Sequence, residues 1–477
     1  MLFPTISFAI FFMIVLPVSW LLMPRRRRWK LFMIAASYFF YGYWDWRFCF
    51  LLAGSTLANQ LFARLIHDST DDRVRRRWLV VAIVTNLAVL GLFKYYDFFV
   101  TNATNTLRDI GLDLSPTLLS VVLPIGISFF TFQALSYVID VYRGTFKPGR
   151  LLDFAVFLSF FPHVVAGPIV RPAEFMPQVR ARHDPRHVDA SRAFFLIFIG
   201  LFKKVVIANV LATEIVDAVF ASPNQHSGLE ALVGVYAYAV QIYADFSGYT
   251  DIAIGLALLL GFRFPQNFDS PYTAQSIQDF WRRWHMTLSR WLRDYLYIPL
   301  GGNQRGRLRT YFNLMATMLL GGLWHGAAWT FVVWGAIHGL YLSVEHWRRG
   351  RRLRRNLPEP ADTATRRWVQ RFITFNLVCL AWVFFRSESM SNAFDLLGRI
   401  IDPSHWFEPA PLITLGVVLA IAAGLVEQYV PRAAYARAMA RFSFFTPVVQ
   451  GVVLGVALLL TNTMGPSGVA PFIYFRF

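Results

Sequence analysis

The stretch LMATMLLGGLWHGAAWTFVVWGAIHGLYLSV, Leu314–Val344, contains no Lys, Arg, Asp or Glu and is bounded by Arg309 and Arg348. A bilayer crossing takes about 17–25 apolar residues, so this run lies within a membrane. Basic residues at both ends place both ends on one side, and the run reads as a hairpin. It carries His325, in Gly321-Gly322-Leu323-Trp324-His325-Gly326. An ionisable group at such depth is costly and is kept there for a pathway or a reaction. Histidine titrates nearest neutrality, so it can take and return a proton. The plain alternative is a histidine hydrogen-bonded to a neighbouring helix. Gly321, Gly322 and Gly326 beside it admit close approach of a backbone or a substrate.

Working outward, the same apolar pattern fills the chain. Of its 477 residues 56% are hydrophobic and only 16% charged, against about 25% charged in soluble domains. Apolar runs recur at Thr5–Met23, Leu31–Tyr43, Phe48–Ile66, Trp78–Val100, Leu118–Val141, Ala193–Phe220, Leu232–Phe262, Thr310–Trp324, Ala327–Val344, Phe372–Phe385, Pro411–Val430 and Val448–Thr463. They predict an all-α, polytopic transmembrane protein with about 11–12 crossings, organised as a single domain over residues 1–477. Cys49 and Cys379 lie in or near such runs without a CxxC partner and read as core residues.

The net charge of +18 does not mark a nucleic-acid surface. Its arginines and lysines cluster in short loops, including Arg25–Lys30, Arg73–Arg77, Arg143–Arg150, Arg171–Arg192, Lys203-Lys204, Arg282–Arg309, Arg348–Arg367 and Arg432–Arg441. That is the positive-inside signature, with lipid headgroups as partners. It places the N-terminus outside the cytoplasm. Phe154–Val170 is then flanked by basic loops on both sides, and Pro162, Gly167 and Pro168 break it. A re-entrant segment is expected there, surrounded by protein or a water-filled cavity.

Ser276–Leu300 reads as an amphipathic helix lying at the interface. Ser276 followed by Asp279 is a start signal, and Trp281, Trp284, Leu288, Trp291, Leu292 and Tyr295 form its apolar stripe. His285 belongs to that buried face, where a mere anchor has little need of a titratable group. His338 lies thirteen residues beyond His325, about 20 Å along a continuous helix, and reads as a packing residue. Tyr238, Gln241, Asp245 and Tyr249 recur at helical spacing and, with Ser247 and Trp324, are expected to line the interior or bind substrate. Asp251 is on a different face from Asp245, so the two are not an acid/base pair. No Ser-His-Asp order, metal-ligand spacing, P-loop or GxGxxG in context occurs.

Five internal stretches and one terminal one resemble a known family. They are LPIGISFFTFQALSYVIDVYRG (Leu123–Gly144), FFPHVVAGPIVRP (Phe160–Pro172), YADFSGYTDIAIG (Tyr243–Gly255), FWRRWHMTLSRWLRDYLYIPLGGN (Phe280–Asn303), GGLWHGAAWTFVVWGAIHG (Gly321–Gly339) and the terminal PFIYFRF. In that order they resemble the membrane-bound O-acyltransferases (MBOAT), in the bacterial branch with alginate O-acetyltransferases and teichoic-acid D-alanyl transfer proteins. The resemblance implies a central pore and transfer of an acyl group, acetyl rather than amino-acyl, to a hydroxyl. It implies His325 as general base, with His285 orienting or polarising the acyl carbonyl. It further implies a cytoplasmic thioester donor (acetyl-CoA or an acyl carrier) and no bound cofactor. The acceptor would be an extracytoplasmic polysaccharide or envelope glycan, reached with a partner protein, from a bacterial inner membrane. A D-alanyl transfer protein is the alternative within the family, and a transporter or flippase the alternative outside it. Arg305 and Arg307, in the basic turn Gly301–Arg309, are candidates for the donor's phosphates, although positive-inside loops need no ligand to explain them.

Overall fold

A computed structural model describes residues 1–112 and 122–464; the terminal PFIYFRF stretch lies outside the described residues. Helices dominate, and no strand occurs among the described residues. Each of the twelve apolar runs overlaps a helix. Among the described residues, four helices are long and apolar enough to cross a membrane: Arg47–Asp68, Asp72–Asp109, Ala190–Ala221 and Ala364–Arg386. That is fewer than the crossings counted from apolar runs, because Ile6–Leu22, Ile127–Tyr142 and Leu415–Glu427 are shorter apolar helices and other runs are polar at their ends or broken.

The chain forms two compact units, one of residues 1–190 with 256–265 and the other of 191–255 with the chain from 266 onward. In the first unit α1 (Ile6–Leu22), α2 (Arg26–Gly42), α3 (Arg47–Asp68), α4 (Asp72–Asp109) and α5 (Ile127–Tyr142) precede a broken segment. That segment runs through α6 (Leu151–Ser159), α7 (Phe161–Val164) and α8 (Pro172–Arg180). The nine residues of α6 span about 14 Å, too little to cross a bilayer. The chain breaks at Phe160, ahead of Pro162, and turns again at Gly167. A Cβ on Gly167 would lie 2.5 Å from the His163 Cα, so the turn needs glycine. Lys30 on α2 and Arg180 on α8 both pair with the buried Asp153 of α6. His163 is fully buried among Phe157, Phe160, Phe175 and Phe264, with Nε2 bonded to the Phe157 carbonyl at 2.7 Å.

The second unit holds the histidines singled out above. Its first helices are α9 (Ala190–Ala221) and α10 (Gly228–Leu259), whose last turn belongs to the first unit. They cross backbone to backbone: a Cβ on Gly200 would lie 2.5 Å from the Gly248 carbonyl oxygen, and one on Gly248 2.6 Å from that of Gly200. Lys203 and Lys204 are not in a basic loop. They sit in a π turn of α9, at Lys203–Ala208, and are buried. Lys203 pairs with Asp251 at 3.2 Å and Glu427 at 2.8 Å, and Lys204 pairs with Asp245 at 2.6 Å. Two adjacent lysines inside the protein are tolerable only because carboxylates meet both. Two of these carboxylates, Asp245 and Asp251, come from α10 and the third, Glu427, from the helix Leu415–Glu427. As the six-residue spacing implied, Asp245 and Asp251 go to different partners.

Residues 276–300 do not form one helix. Ser276 caps as expected, accepting from the Asp279 N–H at 3.1 Å. The chain then breaks between α11 (Ile277–Arg283) and α12 (Met286–Leu292). The break falls at His285, whose φ is +41°, a left-handed conformation uncommon for a residue with a Cβ. The apolar stripe holds, with Trp284, Leu288, Trp291, Leu292 and Tyr295 all buried. It packs into protein.

Candidate active site

The site is built on a helical hairpin, α13 (Arg307–His325) and α14 (Trp329–Arg354), joined at 326–328. Glycine makes the hairpin close. A Cβ on Gly322 would lie 2.2 Å from the Phe331 carbonyl oxygen, and one on Gly335 2.4 Å from that of Met318. The glycines beside His325 therefore serve the approach of α14. The exception is Gly321, which a Cβ would leave 3.4 Å from the Leu292 side chain. His325 is the last residue of α13, at the hairpin tip, and only 3% exposed.

Aromatic rings among the described residues that meet the His325 imidazole include Trp324 at 4.9 Å, Trp334 at 5.0 Å and Phe385 at 5.1 Å between centroids. Phe385 comes from α15 (Ala364–Arg386). Trp324 also meets His285, at 6.1 Å, so one indole touches both histidines. Phe246 of α10 meets the His285 ring edge-on at 4.7 Å. The structure thus brings His285 to Trp324 and His325, which the sequence had named from a separate stretch.

His285 is fully buried, and Nδ1 lies 3.1 Å from Asn267 Oδ1. The same Oδ1 accepts from the Thr287 N–H at 3.2 Å and from Thr287 Oγ1 at 2.9 Å. Two backbone bonds clamp the break, Met286 N–H to the Asn267 carbonyl and Asp269 N–H to the Arg283 carbonyl, both 2.9 Å. His285 Nε2 has no hydrogen-bond partner among the described residues.

His338 is closer to the site than helical spacing implied. The chain reverses after Gly326, so the 20 Å separation along a continuous helix does not apply. His338 packs on Trp334 at 4.9 Å, the indole that also meets His325. Its Nδ1 accepts from Trp281 Nε1 at 3.3 Å. Glu345 holds α11 against α14 there, accepting from the Ile277 and Gln278 N–H groups at 2.6 and 3.0 Å.

Of the remaining predicted residues, Tyr238, Gln241, Asp245, Ser247 and Tyr249 are all buried on α10. Tyr238 meets Trp382 at 6.5 Å, and Trp382 in turn meets Trp334 and Phe385 beside His325. Gln241 Oε1 and Ser247 Oγ have no hydrogen-bond partner among the described residues. Arg305 and Arg307 are exposed, in and just after the glycine-rich turn at 301–306. Eighteen residues of α13 separate Arg307 from His325, about 27 Å along the axis, so these arginines are not beside the histidines. Asn267 was missed. It lies 18 residues from His285 outside any helix, and no motif joins them.

Residues 147–390, which include all three histidines of this cluster and Asn267, match the model of the MBOAT, membrane-bound O-acyltransferase family. The chain belongs to the membrane-bound O-acyltransferase family. It is 44% identical over 381 residues to the protein named "Probable alginate O-acetylase AlgI" of Pseudomonas aeruginosa, covering 79% of this chain and 70% of that one. To the peptidoglycan O-acetyltransferase of Helicobacter pylori it is 40% identical over 399 residues, 78% of this chain and 73% of the other. To the teichoic acid D-alanyltransferase of Streptococcus thermophilus it is 29% identical over 280 residues, 55% and 68% of the two chains. This membrane-bound O-acyltransferase is a multi-pass membrane enzyme that transfers an acyl group, and an acyl donor is its substrate.

Proposed function

We propose that the chain moves an acetyl group from a cytoplasmic thioester, acetyl-CoA or an acyl carrier, to hydroxyls of an extracytoplasmic polysaccharide or envelope glycan. The relatives at 40% identity and above are named for O-acetylation of alginate and peptidoglycan, whereas the D-alanyltransferases stand at 29%. The observation that carries the reading is the pair of buried histidines in contact with one indole, Trp324. Acyl transfer to an alcohol needs two things of its catalyst: a base for the hydroxyl proton and a donor for the charge that builds on the acyl oxygen. Two imidazoles within one aromatic enclosure supply both. In this proposal the whole chain acts as one domain around a central pore. Tyr238, Gln241, Asp245, Ser247, Tyr249 and Trp324 line the path. The N-terminus is extracytoplasmic in an inner membrane, and a partner protein carries the acetyl group onward. Arg305 and Arg307 attract the donor's phosphates at the cytoplasmic face rather than touching the reacting thioester.

The test is purified enzyme given radiolabelled acetyl-CoA, acetylated acyl carrier or D-alanylated carrier, with a glycan acceptor. Acetyl release that depends on His325 supports the proposal. Release confined to the D-alanyl donor, or no release from any thioester, overturns it.

A further inference from the structure

We infer that His338 and Trp334 recognise the phosphopantetheine arm of the acyl donor, each giving one N–H to an amide carbonyl of that arm. The inference rests on the proposed reading that the donor is a cytoplasmic thioester. Both candidate donors, acetyl-CoA and an acyl carrier, present this same arm.

The Trp281 Nε1–H can only donate, and it faces His338 Nδ1 at 3.3 Å. Nδ1 is therefore the acceptor, because a hydrogen on it would set N–H against N–H. The ring is then the neutral tautomer with its hydrogen on Nε2, which makes Nε2 a donor. That Nε2 is buried and has no hydrogen-bond partner among the described residues. The same holds for Trp334 Nε1, on a residue only 1% exposed. Buried donors in folded proteins are nearly always paired. Here two of them sit on rings in contact, 4.9 Å between centroids, and both call for a group that accepts.

Their placement narrows the choice. Trp334 and His338 are four residues apart on α14, hence on one face and about 6 Å apart along the axis. Trp334 meets His325 at 5.0 Å. His338 lies one turn further from the hairpin tip, toward the basic end of the helix at 348–354. That end is cytoplasmic in the proposed topology, so the two N–H groups stand in order between donor entry and His325. Rings line the same strip, with Trp281 at 5.2 Å, Tyr341 at 6.1 Å and Phe280 at 6.2 Å from the His338 ring. Trp281 and Tyr341 are half-buried and form its outer edge.

A ligand for this strip needs apolar stretches for the rings and neutral acceptors at a short interval for the two N–H groups. The arm has that chemistry. Its two amide carbonyls are separated by two methylenes and a nitrogen, with methylenes on the thioester side and a dimethyl carbon on the phosphate side. Trp334 takes the carbonyl nearer the thioester, and His338 takes the one beyond it.

Three donors separate recognition of the arm from the transfer itself: acetyl-CoA, S-acetylpantetheine and the amide-free S-ethyl thioacetate. For the parent enzyme kcat/KM should be about 10–100-fold higher with S-acetylpantetheine than with S-ethyl thioacetate, as two neutral hydrogen bonds imply. That ratio should fall by about 3–10-fold in Trp334→Phe and again in His338→Phe, chiefly through KM. His338→Gln keeps an acceptor for Trp281 and a donor for the arm, and should restore most of the ratio. A residue needed only for packing would lower transfer from both thioesters together and leave the ratio unmoved. A matching fall with acetyl-CoA and with the acetylated carrier assigns the site to the arm shared by both, and a fall with one alone assigns it to that donor. Equal use of the two small thioesters by the parent, or an unmoved ratio in both phenylalanine variants, overturns the inference while leaving the proposed function standing. No transfer from any acetyl thioester by the parent overturns the proposed function, and the inference with it.

Discussion

His325 closes a helix with its ring enclosed by Trp324, Trp334 and Phe385. Its removal leaves no unpaired charge, so His325→Ala should reach the membrane at parental levels. Transfer should fall by about 10²-fold or more, whether the ring serves as base or as donor to the acyl oxygen. Radiolabel transfer at matched enzyme amounts checks this, and activity within a few-fold of the parent would remove His325 from the site. The arginines near the far end of the same helix act differently, because about 27 Å of helix lies between Arg307 and the ring. Replacing Arg305 and Arg307 with Gln should raise KM for the thioester and leave kcat nearly unchanged, since an attraction lost equally from ground and transition states affects only binding. An unchanged KM would reduce both residues to topology signals.

Among the elements, the α13–α14 hairpin depends on glycine at the crossing and not beyond it. Gly335→Ala would put a Cβ 2.4 Å from the Met318 carbonyl oxygen, and separating the helices should cost about 1–3 kcal/mol. Gly350→Ala, on the same helix, would meet only the end of the flexible Arg354 side chain at 3.2 Å. It should be neutral or stabilise by up to about 1 kcal/mol through helix propensity. Thermal unfolding in detergent distinguishes the two, and equal shifts would refute the close crossing. The α9–α10 pair is held by charge as well as by glycine. Lys204→Met leaves Asp245 buried without its 2.6 Å partner, a loss of about 3–5 kcal/mol. Lys204→Met with Asp245→Leu should recover most of that stability. A double variant no more stable than the single one would show that the pair does not act as a unit.

Over the whole molecule the charge pattern sets orientation. With Lys203 and Lys204 committed to buried carboxylates, the positive-inside argument rests on the arginine-rich loops alone. Residues 150 and 182 flank the broken segment α6–α8 and are both exposed. Single cysteines there, after replacing Cys49 and Cys379 with Ala, should both resist an impermeant thiol reagent added from outside intact cells. Labelling of one and not the other would make the segment a true crossing and invert every later loop.

Apolar run length, loop charge, one histidine in an uncharged run and another on the apolar face of an amphipathic stretch were legible in the residues, because hydrophobic length and charge are summed along the chain. They gave an all-α membrane protein, the broken segment at 154–170, the hairpin, and His285 and His325 as candidates. Where helices stop and which residues meet depended on contacts distant in sequence. The left-handed turn at His285 exists because 267–269 clamps 283–287. Lys204 is buried because α10 brings Asp245 to it, and His338 reaches the Trp334 ring because the chain reverses after Gly326. Asn267 carried no signal at all in the sequence, since an amide acquires a role only from the donors that fold around it.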